Sequence, residues 1–309
     1  MNTGHPVLVG VDESREAWEA VPISAALARR TGSDLHVVHA TRDVWSAVRH
    51  ITMAAAAAAS SSPLGDISAL DERMVTLARE RVRQRLVAMP DLAPSPTLDV
   101  AVGLAADVIS QQAHAVDAGL VVVGAKKHGL LGRWLGGSTA HALVRDATRP
   151  VLVTVAPPTV FSHILVAIDL SDCARCVVDL ACALARDLDA TLRVIHVVEP
   201  LPADARRHAG ISQKDFYQLS CEVCDDLMAA AIDDDVERVL REGDIVPVLQ
   251  HEVEEWGADL LVVGSHGASR MTRLVLGSTT ETFLKDLPVS TLFVPPPDDP
   301  APSLSGGSA

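Results

Sequence analysis

Between residues 264 and 279 the chain reads GSHGASRMTRLVLGST, spaced as Gly264-x2-Gly267-x9-Gly277-Ser278-Thr279. The apolar run 260–263 ahead of it has the character of a buried strand, and Ser278 and Thr279 before TETFLKDL have that of a helix N-terminus. Glycines then stand at both edges of one pocket. Without a Cβ, glycine lets backbone N–H groups approach an anion closely, and a helix N-terminus adds unpaired N–H donors and the positive end of its dipole. The chemistry this suits is a phosphate cradle; tight turns around a strand and a helix are the competing use of the same glycines. Two commoner cradles are excluded, because a dinucleotide fingerprint needs Gly-x-Gly-x-x-Gly after the first strand and a P-loop needs Gly-x4-Gly-Lys-Ser/Thr. Here the strand-like run 164–168 leads into Asp169-Leu-Ser-Asp, with no glycine.

The elements that must position this loop come from an internal repeat. VLVGVDES at 7–14 aligns with ILVAIDLS at 164–171, and DLHVVHAT at 34–41 with ATLRVIHVV at 190–198, at an offset of 157. LVVVGA at 120–125 aligns with LLVVGS at 260–265, and GGST at 136–139 with LGST at 276–279, at an offset of 140. The first copy is therefore 17 residues longer in its middle, and the Ala/Ser-rich stretch 53–62, followed by Pro63 and Gly65, reads as the insertion. Strand-like and helix-like patterns alternate within each copy, the signature of a parallel sheet covered by helices. In copy one, strands are expected at 7–11, 35–39, 97–102, 120–123 and 151–155, with helices over 17–30, 66–88, 105–115 and after Ser138. Arg79, Arg81, Arg83 and Arg85 are expected to face mostly solvent. Copy two repeats the order. The fold class is thus α/β: two tandem doubly wound open parallel sheets, Rossmann-like, of five strands each. The domains are 1–157 and 158–297, joined at Pro157-Pro158, with a disordered Pro/Ser/Gly-rich tail at 298–309.

Apolar residues make up 48% of the 309 and aromatics 3%, so the cores are aliphatic. The formal charge of −14 falls on one half: residues 1–157 hold 15 acids and 15 bases, the remainder 25 and 11. Acidic clusters at Asp225-Asp226 and 233–235 read as solvated helix faces and argue against general nucleic-acid binding. No secretory leader is visible, and the alanine tract 54–59 is too short and too weakly apolar to span a bilayer, so a cytoplasmic protein is expected. Five cysteines without framework spacing agree with that.

An apolar first strand ending in Asp169, His196-Val197 in the second strand, and the late G-x2-G-x9-G-S/T together resemble the nucleotide-binding branch of the universal stress protein family. The resemblance covers nearly the whole chain, twice over. It implies ATP or AMP, with or without magnesium, as ligand of copy two. Asp169 would contact ribose or adenine, the Val197 backbone would face the adenine edge, and Gly264, Gly267, Gly277, Ser278 and Thr279 would hold the phosphates. Copy one keeps Asp12, Ala40, Gly124, Gly137, Ser138 and Thr139, but Lys127 replaces the middle glycine. Its side chain would either block close approach or exchange a backbone contact for a charge contact, and Gly129 and Gly132 nearby would redraw the loop. A weaker site, or none, is expected there. The resemblance further implies pairing through the last strand. VLVTV and STLFV are uncharged and would leave an unprotected sheet edge, so the two copies are expected to pair with each other about a pseudo-two-fold axis. A homodimer of chains is compatible with this. The implied role is a regulatory binding module read by a protein partner. His266 in the loop reads as a hydrogen-bond donor rather than a base, and any ATP hydrolysis or autophosphorylation is expected to be slow.

All five cysteines lie in copy two: Cys173-x2-Cys176, Cys182 and Cys221-x2-Cys224. Spacing of three puts each pair on one helix face, and Cys173 sits where a helix N-terminus lowers a thiol pKa. Four thiolates from Cys173, Cys176, Cys221 and Cys224 would make a tetrahedral zinc site; burial as small packing residues and a thiol redox switch are the other readings. A thiol- or zinc-dependent stress sensor is therefore the alternative function, and a slow ATPase a third. His39 and His196 read as core or strand-end hydrogen bonders, Trp134 and Trp256 as partly buried packing residues.

Overall fold

A computed structural model describes residues 4–41, 67–89, 92, 95–125, 139–155, 160–169, 171, 174–231, 236–265 and 277–296. The alanine-rich insertion and the tail lie outside the described residues. The first half runs β1 (Val7–Val11), α1 (Arg15–Thr31), β2 (Leu35–Thr41), α2 (Ile67–Val87), β3 (Thr97–Val102), α3 (Ala105–Ala115), β4 (Leu120–Gly124), α4 (Thr139–Arg145) and β5 (Val151–Thr154). The second runs β6 (His163–Ile168), α5 (Ala174–Leu188), β7 (Thr191–Val198), α6 (Ala203–Ala209), α7 (Gln213–Ala231), β8 (Glu237–Glu242), α8 (Ile245–Trp256), β9 (Leu260–Gly264), α9 (Ser278–Lys285) and β10 (Ser290–Val294).

The strands form one ten-stranded sheet in the order β3-β2-β1-β4-β5-β10-β9-β6-β7-β8. Within each half every pairing is parallel, and the seam between halves, β5 with β10, is antiparallel. Strand alternation decides which side chains meet which helices. Val7, Val9 and Val11 join the core under α1, α2, α5 and α7, whereas Leu8 joins the core under α3, α4, α8 and α9. Both cores run through both halves.

Local chemistry sets the helix ends. Ser14 accepts from the Ala17 N–H at 3.3 Å to open α1, and Gly32, at φ 65, closes it in a conformation that side-chain-bearing residues resist. The short helix α6, closed by Gly210, is absent from the sequence expectations, which repeat the first-half order without it. At the central seam, Phe161 is 1% exposed and sits among Leu27 of α1, Leu180 and Leu184 of α5, and Leu292 of β10. Gly124 at the end of β4 lies against the first turn of α1, where an added Cβ would come within 2.7 Å of the Ala17 nitrogen.

The second half holds a charged cluster that the first does not repeat. Glu252 on α8, its side chain 5% exposed, accepts from Arg193 on β7 at 2.7 Å and from Arg241 on β8 at 3.1 Å. Arg193 also reaches Glu237 at 2.7 Å and lies 4.6 Å from the Trp256 ring centre. Burial works against the charge on Arg193, but the two carboxylates outweigh it and raise its pKa. At the matching first-half positions stand His36, Thr97, Ala101 and Gln112.

Phe161→Ala should cost about 3 to 5 kcal/mol of unfolding free energy in urea, since it empties the point where the halves meet. Gly124→Ala should also destabilise, by about 1 to 3 kcal/mol, because the atoms it meets are backbone and cannot turn aside.

Candidate nucleotide site

In the second half the strand order reverses at β6. From β6 the chain steps outward to β7 and β8, then returns on the other side to β9 and β10, leaving a crevice beyond the carboxyl ends of β6 and β9. Such switch points are where open α/β sheets receive ligands. A cavity of about 530 Å³ opens there, lined by Asp169, Val197, Gly264, Gly277 and Thr279 among others. That size suits a small-molecule ligand of nucleotide dimensions.

Each wall has a local cause. Asp169 follows β6 directly, and its Oδ1 accepts from the Ser171 N–H at 3.0 Å, which holds the carboxylate beyond the strand end. His196 and Val197 come from the end of β7. The His196 Nδ1 lies 2.8 Å from the Ile168 carbonyl oxygen. A carbonyl only accepts, so that nitrogen carries a proton and donates it. His39 repeats the bond in the first half, 2.9 Å from the Val11 oxygen. Both histidines are the strand-end hydrogen bonders that their sequence positions indicate.

The opposite wall is β9 and the start of α9. The Thr280 hydroxyl donates to the Gly264 carbonyl at 3.1 Å, tying the helix to the strand it follows. Gly277 is the N-cap of α9 and offers no capping side chain. The first-turn N–H groups therefore lie at the cavity edge with the dipole's positive end behind them. Apolar residues Ile195, Leu249 and Val263 form the floor. Gly267 and His266 lie outside the described residues, and Ser278 is placed only by its backbone.

The first half arranges the corresponding residues differently. Asp12, Ala40, Gly124 and Thr139 occupy the matching strand and helix ends, while Lys127, Gly129, Gly132, Gly137 and Ser138 lie outside the described residues. Asp12 accepts from the Ser14 N–H at 2.7 Å, as Asp169 does from Ser171. The indole N–H of Trp18 donates to the Asp12 carbonyl at 2.7 Å, and the Arg85 guanidinium stacks 4.2 Å from its ring centre. Trp18, 6% exposed, fills the gap between α1 and α2 beside the end of β1. At the equivalent position of the second half stands Arg175, which points to solvent and pairs with Asp179 at 2.9 Å. Sequence reasoning missed Trp18; its one signal was the mismatch with Arg175 across the 157-residue repeat.

The cysteines are dispersed in environment. Cys176 is exposed, Cys182 and Cys221 are half-buried, Cys224 is buried, and Cys173 lies outside the described residues. Among the described residues no group of three or more His, Cys, Asp or Glu side chains is placed to hold a metal ion. Burial, then the nearby Cys221 and Asp225, push the Cys224 thiol up, which disfavours the thiolate that zinc or redox chemistry uses. Hydrogen bonding to Cys221, followed by burial, pushes Tyr217 up to about 12. Cys224 also lines the cavity, on the side of α5 and α7.

Comparison with known proteins agrees with this architecture. The universal stress protein family matches residues 4–154 and again 161–295. A universal stress protein A homolog of Pasteurella multocida (strain Pm70) is 29% identical over 143 residues, covering 45% of this chain and 99% of its own. A second homolog, from Coxiella burnetii (strain RSA 493 / Nine Mile phase I), is 28% identical over 139 residues, 43% of this chain and 94% of its own. A universal stress protein structure from Archaeoglobus fulgidus DSM 4304 superposes with a TM-score of 0.63 at 18% identity, covering 94% of this chain and 98% of that one. A putative universal stress protein from Pseudomonas aeruginosa UCBPP-PA14 gives 0.60 at 18% identity, covering 95% and 94%. These last two share the fold over almost the full length, whereas each homolog corresponds to one half. The chain belongs to the universal stress protein family and carries its domain twice.

Proposed function

We propose that this protein binds one adenine nucleotide, ATP or AMP, in the cavity of its second half, and acts as a regulatory binding module. The observation that carries the reading is the convergence of Asp169, Val197, Gly264, Gly277 and Thr279 on one cavity at the switch point. These residues come from four separate stretches of sequence. In this reading the Asp169 carboxylate takes the ribose hydroxyls, the Val197 backbone faces the adenine edge, and the α9 N-terminus with Gly267, Ser278 and Thr279 takes the phosphates. The apolar floor supplies the ring contact. Residues 1–157 and 158–297 act as two domains, and the first is the degenerate partner: Trp18 and the close approach of α1 to Gly124 occupy space beside its strand ends.

Regulation rather than turnover is supported by the kind of groups assembled. They are hydrogen-bond donors and a fixed carboxylate, suited to holding a nucleotide, and the His196 Nδ1 is already committed to a main-chain carbonyl. Nucleotide occupancy would then fix the cavity wall formed by α7 and the start of α9.

Calorimetric titration of the full-length, nucleotide-stripped protein with ATP and magnesium should give a stoichiometry near one per chain. Asp169→Ala should weaken binding by about tenfold to a hundredfold, the value of a hydrogen bond to a charged group. Absence of binding, a stoichiometry near two, or an Asp169→Ala variant of undiminished affinity would each contradict the proposal.

A further inference from the structure

The large apolar side chains exposed among the described residues are concentrated on two helices. Met74 (43%) and Leu77 (57%) lie on α2; Leu219 (55%), Val223 (52%) and Leu227 (47%) lie on α7. Both helices cover the same side of the sheet, since Val82 and Leu86 of α2 and Met228 of α7 enter one core with α1 and α5. They stand at its two ends: α2 packs on β2 and β3, α7 on β7 and β8. Their sheet-facing residues are therefore spent on the core, and the residues just named are left on the outward surfaces. The four-residue spacing of Leu219, Val223 and Leu227 makes them one continuous stripe.

Charge distinguishes the two surfaces. On α7 the stripe is flanked by exposed Glu222, Asp225 and Asp226; on α2 the leucine and methionine lie among exposed Arg73, Arg81, Arg83 and Arg85, which outnumber the exposed Glu72 and Glu80. An apolar seam with a charged rim is the anatomy of a protein interface. Like surfaces of two copies would set arginines against arginines or carboxylates against carboxylates, which costs affinity. Unlike surfaces complement each other in both respects.

We propose that a second copy of this chain docks here, α2 of one copy lying on α7 of the next, with Leu77 and Leu219 in the apolar seam. Each copy presents one surface of each kind at opposite ends of its sheet, so the contact is heterologous and leaves one free surface at either end of the pair. Neither surface belongs to the cavity's phosphate wall, so association does not require bound nucleotide.

The test uses two charge variants of the full-length protein and sedimentation equilibrium. Wild type should self-associate with rising concentration, less so as salt is raised. Leu77→Glu puts an acid opposite the acidic helix, and Leu219→Arg puts a base opposite the basic one. Each variant alone should weaken association by about tenfold or more, with circular dichroism and ATP titration showing an intact fold. Mixed together, they should associate again, because the mixture restores one intact α2 facing one intact α7, and where the two altered surfaces meet the introduced charges are opposite. Wild type that remains monomeric up to about 100 µM, whether its stripes are bare or covered by its own chain, overturns the proposal. So does undiminished association of either variant alone, or a mixture that fails to pair.

Discussion

The structure depends on the antiparallel joining of β5 to β10. Both strands are wholly apolar or small and uncharged, and all residues of each are buried. Alone, either would end a parallel sheet with a row of unpaired backbone groups and no charge to discourage wrong partners. Joined as Val153 with Thr291, Leu152 with Leu292 and Val151 with Phe293, they convert two exposed edges into the middle of a ten-stranded sheet. Phe161, at the start of the second half, seals the same seam from the side of α1 and α5. Because this one pairing is antiparallel while all others are parallel, the two halves point their strand ends in opposite directions. The switch points of the halves therefore open at opposite ends of the molecule, and each half has been free to diverge at its own.

That divergence is visible in two places. Where the first half packs Trp18 between α1 and α2, the second has an exposed Arg175 and an open cavity. Where the second half buries Glu252 between two arginines on neighbouring strands, the first has His36 and Gln112. A buried carboxylate held from two sides costs desolvation but fixes the geometry of β7, β8 and α8, and β7 and α8 carry His196, Val197, Ile245 and Leu249 of the cavity wall. The cation–π contact of Arg85 on Trp18 similarly fixes α2 against α1. One half stiffens a pocket and the other fills a groove, on the same backbone plan.

Much of this was legible in the chain. The repeat VLVGVDES/ILVAIDLS and the apolar runs bounded by glycine locate β1, β6, β4 and β9 closely, because fully buried parallel strands leave continuous Val, Ile and Leu. The seam was legible too, from the lack of charge in the last strands. Of the site, Asp169, Val197, Gly264, Gly277 and Thr279 could be named from pattern and resemblance, whereas the roles of Trp18, Phe161 and Glu252 could not. Their meaning comes from partners far away in sequence: Arg85 for Trp18, Leu292 for Phe161, Arg193 for Glu252. Gly124 was legible as a glycine with a purpose, but not which purpose. In the fold it makes room for the backbone of α1. The short helix α6 escaped notice because ADARRHA carries no apolar stripe, and it buries no residue.

Hydrogen–deuterium exchange of the full-length protein, with and without ATP, tests the central claim most directly, because it reports where the nucleotide sits rather than whether it binds. The account predicts slowed exchange at 195–199 and at the first turn of α9, with 37–41 and 139–142 unchanged. Protection centred on the first-half strand ends, or none in either half at saturating ATP, would contradict it.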